Sequence, residues 1–258
     1  MFAFNNADTD YVAIARRAVT LIARNLRLPV TLVTGLNEVV DFNVHRLIRV
    51  DHKSKNYRTS PDTGQVVEWA NFGRYRAYEL SPYDETILLD TDYLVLDNSL
   101  LKYFDSEWDY LIPNKNYDIS SGVTTDTMTP YGINFLWATV VFFRRTQRAQ
   151  DLFDMVGRIQ RNYGYYQQLF NIPPANFRND YAFAMADIVI NGYRPADSAR
   201  LQSPIFTLSG PVESIKTVNG ILHIRSQNGA YVLPKTNLHV MSKAYLLGEQ
   251  FKEFIDAA

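Results

Sequence analysis

The sequence predicts an α/β fold: a mostly parallel sheet flanked by helices, with a small antiparallel β meander at about residues 205–240. Three observations lead there. Apolar runs rich in β-branched residues alternate with stretches of helical periodicity, the order of βαβ units and their parallel sheets. The strand candidates, "VTLVTG" and "TILLD" among them, are largely apolar on both faces, as strands covered by helices on both sides are. Further along, two Asn-Gly pairs sit between alternating apolar residues, the strongest short-range hairpin signal.

Taken in order, Phe2 to Asn5 reads as a short strand stopped by Asn5-Asn6. A helix follows, with Val12, Ala15, Val19, Ile22 and Leu26 at helical spacing, and Pro29 ends it. "VTLVTG" is the next strand, closed by Gly35, and the unit is right-handed by default. "HRLIRV" is a third strand, and the polar stretch 51–65, broken by Pro61 and Gly64, reads as loop. "WANFGRYRAYEL" reads as a helix, before the strands of "TILLDTDYLVLD". A short helix and another strand occupy "SLLKYFDSEWDYLIPNK". Residues 117–132 lack periodicity and read as a long surface loop, a length often associated with function.

"FLWATVVFF" is a buried strand candidate, and Leu152, Val156, Ile159 and Tyr163 mark the helix after it. The next helix is capped by Asn179 or Asp180 and stopped by Gly192. After the meander, "SKAYLLGEQFKEFIDAA" is a single closing helix N-capped by Ser242.

At 258 residues the chain supports one sizeable core, read as a single domain. Its 26 Lys and Arg against 27 Asp and Glu exert no global pull on nucleic acid or anionic membrane. Arg16-Arg17 and Arg144-Arg145-x-x-Arg148 are local basic clusters, open to a polymer such as DNA or to plain helix-face solvation. The absence of cysteine removes disulfides and thiolate chemistry, so a metal must be held by oxygen and imidazole. No run of about 18 apolar residues suggests a membrane span, and no signal peptide is visible. A cytoplasmic location is expected.

Asp90 and Asp92 follow the apolar run 86–89 and point the same way if the chain stays extended. At ~6 Å and an effective dielectric near 20 their repulsion is roughly 3 kcal/mol. A divalent cation offsets it, and Mg²⁺ or Mn²⁺ on oxygen ligands characteristically carries substrate phosphates. The plain alternative is a polar Asp-x-Asp turn between two strands. Asp97 precedes Asn98-Ser99 and reads as a helix cap.

The order of strand, helix with Arg74, strand, Asp-x-Asp and "YLVLDNSLLKYF" resembles the nucleotide-sugar glycosyltransferases of GT-A fold, most closely the glycogenin and galactosyltransferase-like retaining group. The specific part runs from Arg74 to Phe104, with Arg74 at the place of the family lysine. The resemblance implies one GT-A-like (Rossmann-like) catalytic domain over 1–258, with a nucleotide-binding half at 1–112 and an acceptor-side half at 113–258. It implies Mn²⁺ or Mg²⁺ on Asp90, Asp92 and a late histidine. His239 is preferred to His223, because a strand runs into it, Lys243 follows, and a helix starting at Ser242 offers N–H groups to a phosphate. Asn5, Asp8 and Tyr11 are implied at the nucleotide, Asp90 at the ribose and metal, and Arg74 and Lys243 at the diphosphate. Asp180 is implied beside the donor sugar. The family's Asn-Ser-Gly segment is replaced by Trp137-Ala138-Thr139, and its usual glycine and Pro-Trp around the late lysine are missing.

The expected reaction is sugar transfer from a nucleoside diphosphate sugar, a UDP-sugar first among them, to an acceptor hydroxyl on a glycan, protein or modified nucleic acid. No general base stands out, and an inverting enzyme needs one; it is the family resemblance that favours retention. Two alternatives stay open: a non-catalytic nucleotide or sugar binder of the same fold, and a Mg²⁺-dependent phosphatase of haloacid dehalogenase type.

Overall fold

A computed structural model describes residues 1–51, 56–59, 64–69, 73–125, 133–173, 175–194, 200–201 and 204–257. β1 (Phe2–Ala3) leads into α1 (Tyr11–Asn25), whose buried face carries Val12, Ala15, Val19 and Ile22. Asp10 caps this helix by accepting the Ala13 N–H at 2.9 Å. β2 (Thr31–Gly35) and β3 (Arg46–Val50) pair parallel beside β1, as a βαβ opening requires.

The polar stretch expected to be loop contains β4 (Asn56–Thr59), which pairs antiparallel with β5 (Val66–Trp69). Pro61 and the rest of 60–63 lie outside the described residues. The helix expected from Trp69 shrinks to a 3₁₀ turn, Arg74–Arg76, and one turn of α-helix, α2 (Ala77–Leu80). β6 (Glu85–Leu89) and β7 (Tyr93–Leu94) bracket the two aspartates.

After a 3₁₀ turn at Ser99–Tyr103 come β8 (Tyr110–Pro113), β9 (Asn116–Asp118) and β10 (Val123–Thr125). β9 and β10 form a hairpin within the expected surface loop, and 126–132 lie outside the described residues. β11 (Val140–Arg144) is buried along its length, and α3 (Gln147–Arg161), α4 (Tyr163–Leu169) and α5 (Asn179–Ile190) follow. Phe143, Phe153 and Phe183 join β11, α3 and α5 edge to face, at the centre of the largest core.

β12 (Arg200–Leu201) and β13 (Ile205–Leu208) precede the meander of β14 (Val212–Val218), β15 (Ile221–Ser226) and β16 (Gly229–Pro234). The meander therefore spans 212–234, narrower than expected. Asn219 and Gly220 both adopt positive φ, 51° and 75°, as a two-residue hairpin turn requires. β17 (Leu238–Val240) ends the strands. The closing helix is two helices, α6 (Lys243–Leu247) and α7 (Glu249–Ala257), interrupted at Gly248.

The fold is mixed α/β, but the mostly parallel sheet does not form. Among the described residues five sheets occur: β1-β2-β3, β4-β5, β12-β8-β11-β6, β10-β9-β13-β17-β7 and β14-β15-β16. The third and fourth are mixed, and antiparallel ladders predominate overall. The reason is physical. β6 runs antiparallel to β11, and a buried apolar run looks the same in either direction. On its other side β6 faces β1 and β2 across a slot of about 390 Å³, which separates the parallel opening from the rest.

Candidate metal and phosphate site

The site is assembled where β6 ends. Asp90 N–H donates to the Thr139 carbonyl at 3.0 Å, which ties the first aspartate to the start of β11. The Val240 N–H donates to the Asp92 carbonyl at 2.9 Å, and His239 pairs with Tyr93 across β17 and β7. Residues far apart in sequence are thereby brought together: one ligand atom each of Asp90, Asp92 and His239 lies within 4.8 Å of the others. His223 stands exposed on β15, away from this cluster, so the preference for His239 is matched by its placement.

Two cations complete the cluster. Arg74, 3% exposed, donates from its guanidinium to Asp90 and to the Ala138 carbonyl. Its turn is held close to α3, because Gly157 lets the Tyr75 ring come within 2.8 Å of where a Cβ would stand. Lys243 Nζ donates to Asp92 Oδ2 at 2.5 Å and to the Met241 carbonyl at 3.0 Å. His239 Nε2 lies 3.5 Å from Asp92 Oδ1.

The two carboxylates are driven apart electrostatically. Burial pushes the Asp90 carboxyl above the ordinary carboxylate value, with Asp92 and Asp180 adding to it against Arg74 and His239. Burial acts the same way on Asp92, but Lys243 and His239 together outweigh it and hold that carboxyl well below the ordinary value.

This cluster opens into a cleft of about 710 Å³ lined by Tyr11, Arg74, Asp90, Asp92, Asp180, His239 and Lys243, among others. Asn5 and Asp8 do not line it. The Asn5 side chain accepts the Val12 N–H at 2.9 Å, and Asp8 is exposed in the turn before α1. Asp180 does not cap its helix. It accepts the Ala138 N–H at 2.9 Å and a guanidinium N–H of Arg178 at 3.2 Å, and no side chain caps α5. Trp137 stacks on Phe135 at a centroid distance of 4.5 Å and faces the cleft. α6 has only five residues and Ser242 makes no side-chain cap, so the expected helix terminus adds little to a phosphate site.

The sequence reading missed the cleft's far wall. Asn116 and Asp118 on β9, with Thr207 and Ser209 at β13, line it, and Thr207 is in register with His239. The alternation of Asn116 and Asp118 was the available signal, masked by reading 117–132 as loop. Members of both basic clusters have partners within the chain. Arg17 donates to the Leu247 and Gly248 carbonyls, Arg144 binds Glu85, Arg145 the Ser81 carbonyl and Arg148 Asn191.

No helix is long and apolar enough to cross a membrane among the described residues. Comparison with protein-family models, with curated proteins and with solved structures finds no match to this chain.

Proposed function

We propose that the chain is a metal-dependent glycosyltransferase of GT-A-like fold. It transfers a sugar from a nucleoside diphosphate sugar, first among them a UDP-sugar, to an acceptor hydroxyl, with retention. The observation that carries this reading is the convergence of Asp90, Asp92 and His239 in a cleft that also holds two buried cations.

The donor set fits Mn²⁺ or Mg²⁺: two carboxylates and an imidazole, with no thiolate. The His239 Nε2 lies 3.5 Å from Asp92 Oδ1, which is where an ion between these residues would meet the imidazole. Bound by these three residues, the ion supplies Lewis-acid stabilisation of a departing diphosphate. Lys243 brings a positive charge to the same place, and Arg74 opposes the effect of burial on Asp90 and orients it. Asp180 is held rigidly at the cleft wall, where its negative charge opposes the positive charge building on an anomeric carbon. Tyr11, at the start of α1, offers a ring to a base.

The phosphatase alternative is the weaker one: the downstream Gly-Asp-x-x-x-Asp-like acidic motif that such an enzyme uses for its Mg²⁺ is absent from the sequence. A thermal-shift panel of nucleoside diphosphate sugars, with and without Mn²⁺, tests the reading. At about a hundredfold saturation the expected rise is about 5–10 °C, only when both metal and nucleotide are present. No stabilisation by any nucleotide with Mn²⁺ present overturns it.

A further inference from the structure

We propose that Lys243 is an internal counter-ion that bars the metal site to free divalent cations and yields it to a cation arriving with a diphosphate. The inference rests on the glycosyltransferase reading and adds a selectivity device to it.

Asp90 and Asp92 are paired one to one with Arg74 and Lys243, so with a neutral imidazole the cluster carries no net charge. A free divalent cation adds two positive charges beside two cations already buried there, 3% and 7% exposed. The same ion on the diphosphate of a sugar nucleotide adds none, because that diphosphate carries two negative charges of its own.

Geometry then distinguishes the two cations. The planar guanidinium of Arg74 is clamped between Asp90 and the backbone of Ala138, in a turn fixed against α3. Lys243 ends in a compact ammonium on a flexible four-carbon stem, and it rests directly on an oxygen that a metal needs, Asp92 Oδ2. It is the ligand's rival for that oxygen. A phosphate oxygen offers the ammonium a replacement acceptor, and a bare metal offers none. Lys243 thus opposes the metal alone and favours the metal with its diphosphate, which is a coupling between two ligands and is reciprocal.

Equilibrium Mn²⁺ binding, with and without saturating UDP, tests this on the wild-type chain and on Lys243→Met. The variant should bind Mn²⁺ alone about tenfold more tightly than wild type, and its gain on adding UDP should be smaller by a similar factor. Lys243→Gln, which keeps a donor for the Met241 carbonyl, is the second variant and should shift the same way, with far-UV circular dichroism confirming folding. Unchanged or weaker Mn²⁺ binding by the folded variants, with normal Mn²⁺–UDP binding by wild type, overturns the role of Lys243 and leaves the glycosyltransferase reading standing. Absence of Mn²⁺–UDP binding by wild type overturns that reading and the inference with it.

Discussion

Two clefts share β6, and they differ in what their walls demand. The slot of about 390 Å³ runs along the strand's free edge and is lined by Ile22, Leu26, Val30, Val33, Ile87 and Leu88. The cleft of about 710 Å³ begins where the strand ends, and its lining includes Asp90, Asp92, His239, Arg74 and Lys243. In the first, each of these apolar side chains is interchangeable with another of similar volume. In the second, every charge has a named partner and losing one strands another. Apolar volume alone therefore does not mark the functional site here; it is marked by opposed charges brought out of water at a strand terminus.

The comparison breaks most sharply at Arg74. Arg74→Met leaves the half-buried Asp90 beside Asp92 without its counter-ion and should cost about 2–3 kcal/mol in denaturant unfolding. A loss under about 1 kcal/mol would mean that the pair is solvated and the cleft no more demanding than the slot. Ile87→Ala, on the slot side of the same strand, should cost about 1–2 kcal/mol and leave the nucleotide response to Mn²⁺ intact. Loss of that response in a folded Ile87→Ala protein would show that the two clefts are coupled.

A smaller effect sharpens the contrast within the charged cleft. The Asp92 carboxyl is held below 3.8, so its stabilisation is present above that value and is lost as pH falls through the folded value. The Asp90 carboxyl is raised above 3.8, so its contribution is present below that value and is lost as pH rises through the folded value. Chemical denaturation between about pH 3 and 6 should show Asp92→Asn most destabilising at the upper end. Asp90→Asn should instead become relatively more favourable toward the upper end. Parallel pH profiles for the two variants would contradict the opposed environments.

The sequence made the charged cleft more legible than the sheets around it. Asp90 and Asp92 were readable from their spacing at the end of an apolar run, His239 and Lys243 only through the family resemblance, and those four do meet. α1 was readable from its spacing and the meander from Asn219-Gly220. Strand direction was not, because Val140 to Phe143 carry the same apolar side chains whichever way β11 runs beside β6. Nor were the partners of Arg17 and Arg145. Backbone carbonyls such as those of Leu247 and Ser81 accept these guanidiniums, and a carbonyl leaves no trace in a residue pattern. The expected cap at Asp180 failed for a related reason: its carboxylate accepts instead from the Ala138 N–H and the Arg178 guanidinium.

The central claim is that the Asp90–Asp92–His239 cluster serves sugar transfer from a nucleoside diphosphate donor. The most direct measurement is release of free sugar from UDP-sugars by wild type and by Asp92→Ala, with and without Mn²⁺. The account predicts slow hydrolysis by wild type that requires Mn²⁺ and falls by about 10²–10³ in the variant. Hydrolysis that ignores Mn²⁺ and survives Asp92→Ala, or nucleotide binding with no turnover under any condition, would contradict it.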